Sequence, residues 1–161
     1  RFVGEVDRET ASRYRQALHA VDAPAFTVDL YGLDVLPGHR TPRVLVVGIS
    51  PSPALRRLYQ NVSAVLEAEG LPPEERSYRP HITLGRFENP NPKTVHALLR
   101  RERGRTFPSF DVSAFHLFES TLTPDGAVHE ILETYPLTRD ADDPPTHESG
   151  SGRICQQTDP P

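Results

Sequence analysis

The side chains best suited to moving protons in this chain are its seven histidines, His19, His39, His81, His96, His116, His129 and His147. An unperturbed imidazole titrates near pH 6.5, so a pair of them can give and take protons at one reacting group. The pattern His-x-Thr/Ser occurs at His39-Arg40-Thr41, His81-Ile82-Thr83 and His147-Glu148-Ser149, and recurs easily by chance in a chain rich in hydroxyl residues. Context separates the three. His39 falls in a Gly-Pro turn region, and His147 in a stretch without hydrophobic periodicity. His81 alone lies in a strand-like segment, YRPHITLGRF. Side chains alternate along a strand, so His81 and Thr83 share one face while Ile82 and Leu84 anchor the other. An imidazole and a hydroxyl on one face can grip a small anion together; otherwise they are simply a polar sheet face. The same alternation puts Arg86 with Ile82 and Leu84, away from His81, unless a bulge intervenes.

The elements that must carry this strand are legible from periodicity. Residues 5–21 space Ala11, Tyr14, Leu18 and Val21 as a helix capped by Asp7. AFTVDLYGL alternates as a half-buried strand, LDVLPGHRTP reads as a turn-rich segment, and RVLVVGI is apolar enough to be buried on both faces. Ser52 and Pro53 open a second helix whose stripe is Leu55, Leu58, Tyr59, Val62, Val65 and Leu66, and Gly70 ends it. Asn91-Pro92 open a third, with Val95, Leu98 and Leu99, closing at Gly104. FDVSAFHLFES and AVHEILETYPL read as two strands joined through an Asp125-Gly126 turn. This order of elements fits an α+β or α/β sandwich, a sheet covered by a few helices, and α+β is the class expected.

Composition narrows the function. The chain has 161 residues, a formal charge of −4, 17 prolines and one cysteine, Cys155. That length fits one domain, and a lone cysteine excludes a disulfide framework or a CxxC motif. No segment has the apolar length of a membrane span, and the start RFVGEV is no signal peptide, so a cytoplasmic setting is expected. Residues 1–138 read as the folded domain. Residues 139–161, rich in Pro and acids (Asp140, Asp142, Asp143, Glu148, Asp159), read as a disordered tail. The body is then nearly neutral, which excludes a polybasic nucleic-acid surface. No clustered ligands point to a metal or other cofactor.

Other residues have competing readings. His116, among Phe115, Leu117 and Phe118, is expected as a half-core histidine, and His96 as a solvent-facing one. Arg100, Arg101, Arg103 and Arg105 with Phe107 read as a solvated helix end, with an RNA patch as the alternative. Tyr78 either stacks a base near His81 or packs at the strand edge.

YRPHITLGRF resembles the second signature of the two-histidine (2H) phosphoesterases, in particular the bacterial RNA 2′,3′-cyclic phosphodiesterases, also called 2′-5′ RNA ligases. The resemblance runs from Arg1 to about Leu137. RFVGEV resembles the residues after that family's first His-x-Thr motif, and LPGHRTPRVLVVGI its central strand. Phe118, Ser120, Leu122, Gly126, Tyr135, Pro136 and Leu137 match its last hairpin. His129 departs from it, standing where tyrosine is usual. The resemblance implies a two-lobed fold of antiparallel-rich sheets flanked by helices. It also implies metal-independent hydrolysis of RNA 2′,3′-cyclic phosphate ends to 2′-phosphomonoesters, reversible as 2′-5′ ligation. His81 would be the proton acceptor, with Thr83 binding the phosphate oxygens and Arg86 matching a frequent family arginine. The partners implied are RNA 3′ ends or nucleotides with a 2′,3′-cyclic phosphate; a monomer is expected. The first motif, with its proton-donor histidine, belongs immediately before Arg1. Together with the missing methionine, this predicts a chain lacking the first strand and helix of the fold. The alternative is a catalytically weakened phosphate- or nucleotide-binding half-domain.

Overall fold

A computed structural model describes residues 1–124 and 126–138. The expected tail, 139–161, lies outside the described residues, as does Asp125. Helix α1 (Arg8–Ala17) is capped by Asp7, whose carboxylate accepts from the Thr10 amide at 2.7 Å, and a 3-10 turn (Leu18–Ala20) extends it. Strands β1 (Phe26–Val28), β2 (Leu30–Leu36) and β3 (Val44–Ile49) follow. Helix α2 (Pro53–Ala68) starts at Ser52, whose hydroxyl accepts from the Leu55 amide at 3.2 Å, with Pro53 in the first turn. Then come β4 (His81–Arg86), α3 (Pro92–Arg101), β5 (Phe110–Val112), β6 (Ala114–Thr123) and β7 (Gly126–Pro136).

Three antiparallel sheets result, β1-β5, β2-β3-β4 and β6-β7. The α+β class therefore holds, with three readings corrected. AFTVDLYGL, read as one strand, divides at Asp29 into β1, paired with β5, and β2, paired with β3. Leu33–Leu36, read as part of a turn, belongs to β2, because these residues complete the ladder against β3 down to Leu36–Val44. The segment FDVSAFHLFES is two strands, since Ser113 interrupts it. Before Ser113 the chain pairs with β1, and after it with β7.

One core gathers Tyr14 and Leu18, Leu58 and Leu66 of α2, and Tyr135 and Leu137 at the end of β7. The stripes expected on α1 and α2 thus face each other and the last strand, and Leu66, at 2 % exposure, contributes about 1.5–3 kcal/mol by leaving water. The Tyr135 hydroxyl donates to the Arg15 carbonyl at 3.0 Å and its ring stacks on Phe115, which ties the hairpin to α1. In the three-stranded sheet Val46 and Val47, adjacent in β3 and so on opposite faces, are both buried, as expected of a central strand. β4 is that sheet's outer strand among the described residues, and every one of its side chains is exposed. Ile82 and Leu84, expected to anchor it, are therefore exposed as well; β4 is held by its ladder to β3.

Candidate functional site

His81 is the first residue of β4 and pairs with Gly48 of β3. Pro80 cannot join a ladder, so the lead-in Tyr78-Arg79-Pro80 stays outside the strand. Proline also holds the preceding Arg79 in extended backbone. There the Arg79 carbonyl lies 2.7 Å from His81 Nδ1. A carbonyl only accepts, so Nδ1 carries the proton, and the neutral ring keeps a lone pair on Nε2. This is the form a general base requires.

Cross-strand partners share a face, which fixes what accompanies His81. Gly48 pairs with His81, Val46 with Thr83, Leu45 with Gly85 and Val44 with Arg86, while Leu84 has no partner of its own. Leu84 is therefore the extra residue of a β-bulge, which shifts the alternation by one position. This corrects the expectation for Arg86. Strict alternation set it with Ile82 and Leu84, but the bulge returns it to the face of His81 and Thr83.

The same face carries Tyr31 and Asp34 of β2, and these residues with Val46, Gly48, Tyr78, Arg79 and His81 line a cleft of about 340 Å³. Asp34 is its electrostatic centre. One carboxylate oxygen lies 3.2 Å from an Arg79 guanidinium nitrogen and the other 3.2 Å from His39 Nε2. Gly48 is required by close approach, since a Cβ there would stand 2.9 Å from the Tyr31 carbonyl oxygen and 3.1 Å from its ring.

Tyr78 closes the cleft on one side and also lines a smaller pocket of about 190 Å³ with Arg1, Tyr59 and Phe115. Its ring stacks on Tyr59 of α2 with centroids 3.9 Å apart and planes 7° from parallel. Burial, then the neighbouring Tyr59, pushes the Tyr78 hydroxyl above the ordinary tyrosine range. Arg1 is anchored nearby, donating to the Pro72 carbonyl and pairing with Glu74 at 3.1 Å.

The structure thus brings His81 and Tyr78 into one cleft and sets Thr83 and Arg86 along the same strand face. Other histidines go elsewhere. His116 is exposed, not half-core, because alternation turns Phe115 and Leu117 inward and leaves His116 outward, with Nδ1 3.0 Å from the Thr134 hydroxyl. His96 is half-buried instead of solvent-facing, its Nε2 3.0 Å from the His39 carbonyl oxygen. His129 meets the Ser120 hydroxyl at 2.7 Å. Arg101 and Arg105 both pair with Glu102 at 2.8 Å, as on a solvated helix end. Histidine spacing gives no hint of Asp34 or Arg79. The signal available was an acid inside the apolar run LYGLDVL.

Comparison with known proteins decides the family. The family model of the 2′-5′ RNA ligase superfamily matches residues 2–123. The chain belongs to that superfamily. A relative from Aeropyrum pernix named RNA 2′,3′-cyclic phosphodiesterase is 32 % identical over 134 residues, covering 82 % of this chain and 76 % of its own. One of the same name from Archaeoglobus fulgidus is 29 % identical over 134 residues, covering 83 % and 75 %. A crystal structure of a Thermus thermophilus protein superposes with a TM-score of 0.64 at 26 % identity, covering 84 % of this chain and 74 % of that one. Escherichia coli LigT, at 23 % identity and a TM-score of 0.66 over 86 % of this chain and 73 % of that one, has a similar fold. No helix among the described residues is long and apolar enough to cross a membrane.

Proposed function

We propose that residues 1–138 form a phosphodiesterase domain that opens 2′,3′-cyclic phosphates at RNA ends, with β4 carrying the base half of its machinery. The observation that carries this reading is the His81 Nδ1 contact with the Arg79 carbonyl, which leaves Nε2 as the lone pair on the face of Thr83 and Arg86. A water oxygen attacks phosphorus and gives its proton to His81 Nε2. The bond from phosphorus to the 3′ oxygen breaks, and that oxygen takes a proton, leaving a 2′-phosphomonoester. The Thr83 hydroxyl donates to a nonbridging oxygen, and the Arg86 guanidinium meets the charge gathering there. Tyr78 offers a ring edge beside the cleft for the terminal nucleoside. With a 5′ hydroxyl attacking phosphorus in place of water, the same forward steps make a 2′,5′ linkage and free the 3′ hydroxyl.

By the family resemblance, the proton for the 3′ oxygen would come from the histidine of a first His-x-Thr motif, whose place in that family is just before the segment that RFVGEV resembles. The place of Arg1 in the pocket that shares Tyr78 with the His81 cleft supports that assignment. A second reading rests on a different observation: among the described residues lining the cleft, His81 is the single histidine. On that reading residues 1–161 bind the phosphate and turn it over slowly, because a missing acid–base group costs about 10²–10⁴-fold.

The test follows an oligonucleotide with a 2′,3′-cyclic end and identifies the product. A 2′-phosphomonoester, formed at the same rate with and without EDTA, is expected. A 3′-phosphomonoester, or activity abolished by EDTA, overturns the reading.

A further inference from the structure

At the opposite end of β4 from His81 lies a groove of about 710 Å³, lined by Arg40, Arg43, Arg86, Phe87 and Glu88 among others. It is joined to the cleft by the strand itself. Five residue steps separate His81 from Arg86, a path of about 17 Å. The bulge at Leu84 turns Arg86, which lines the groove, to the strand face that carries His81 and Thr83.

Three guanidiniums line this one groove, and all three residues are exposed to water, where an anion can reach them. Among the described residues none of the three is paired with a carboxylate, as holds for ten of the fifteen arginines there, but only these three line one groove together. The β2–β3 turn supplies Arg40, and Arg43 stands where β3 begins. Its backbone is fixed on both sides, its amide donating to the Leu36 carbonyl at 2.8 Å and its carbonyl accepting from the Phe87 amide at 2.8 Å. Arg43 and Arg86 are therefore mounted on ladder-bonded backbone. A single compact anion would need one or two of the three cations. Cations spaced around a long groove suit a chain of separated phosphates, and Glu88 can accept from a ribose 2′-hydroxyl.

We propose that this groove is a subsite for the ribose–phosphate chain of RNA on the 5′ side of the cyclic end. The inference rests on the phosphodiesterase reading, and it makes the preferred substrate an oligonucleotide whose chain extends beyond its terminal nucleotide. A free cyclic mononucleotide fills the cleft and leaves the groove empty.

Binding tests this on the full chain without requiring turnover. The probes are a fluorescein-labelled RNA hexamer ending in a 2′-phosphate, the same hexamer ending in a hydroxyl, a hexamer with uncharged methylphosphonate linkages, and a 2′-phosphate mononucleotide. With Arg40→Gln/Arg43→Gln, affinity for the phosphate-ended hexamer falls roughly tenfold while the mononucleotide is unaffected. The slope of log affinity against log salt falls by about 0.7 for each arginine removed. The methylphosphonate hexamer shows the corresponding weakening on the unaltered protein, so the result does not depend on the variant's folding. Equal affinity for charged and uncharged hexamers, or a double variant that binds the charged hexamer as before, overturns the subsite. Failure of the phosphodiesterase reading looks different: phosphate-ended and hydroxyl-ended hexamers bind alike, while the arginine effect persists.

Discussion

At the scale of single residues, the proposal rests on His81, whose Nδ1 lies 2.7 Å from the Arg79 carbonyl on the strand that also carries Thr83. Seven histidines are visible in the sequence, and spacing alone could not rank them beyond placing His81 on a strand. At His81 the local backbone adds a second observation: the Arg79 carbonyl, held in extended backbone by Pro80, accepts the hydrogen bond from Nδ1. Thr83 was legible as the companion of His81 because nothing interrupts alternation between them. Arg86 was not, because a bulge depends on how β3 and β4 pair, and pairing is not local information. The role given to Thr83 is a hydroxyl donor to developing charge. Thr83→Ala is expected to lower kcat by about 10²-fold with little change in KM, and Thr83→Ser to restore most of it, as steady-state kinetics on a cyclic-ended oligonucleotide would read. A KM effect in place of a kcat effect would make Thr83 a ground-state contact.

Elements position these groups, and two of them make separate predictions. The β2–β3 pair is tight where it faces His81. Gly48→Ala drives a methyl against the Tyr31 carbonyl and ring, and is expected to destabilise the fold by about 1–3 kcal/mol in urea titrations. Because Gly48 is the ladder partner of His81, activity should fall further than the unfolded fraction explains. At α1, hydrogen bonding from Thr10 holds the Asp7 carboxyl below its usual range. A folded-state pKa below the unfolded one gives stabilisation that is complete above the unfolded value, near 3.8, and lost as pH falls through the lowered folded value. Asp7→Asn keeps a capping oxygen without the charge, so acid titration should show this loss in the natural chain and not in the variant. All three helix starts were legible, since capping uses neighbours in sequence. The extent of β2 and the break at Ser113 were not, because each is decided by a distant partner strand.

For the whole molecule, the core and the cleft use different surfaces. The buried cluster joins α1, α2 and the end of β7, whereas the candidate site lies on β4, the outer strand of the β2-β3-β4 sheet among the described residues. Apolar periodicity reveals a core but says nothing about which polar face meets a ligand, which explains why Asp34 and Arg79 escaped the sequence reading. The separation has a practical consequence: substitutions on the exposed face of β4 should alter chemistry without unfolding the chain. The most direct measurement is therefore the rate of 2′-phosphomonoester formation from a cyclic-ended oligonucleotide by the natural chain and by His81→Ala, with circular dichroism on both. The account predicts identical spectra and a rate lower by about 10²–10⁴-fold in the variant. A folded His81→Ala protein that retains the natural rate would contradict it.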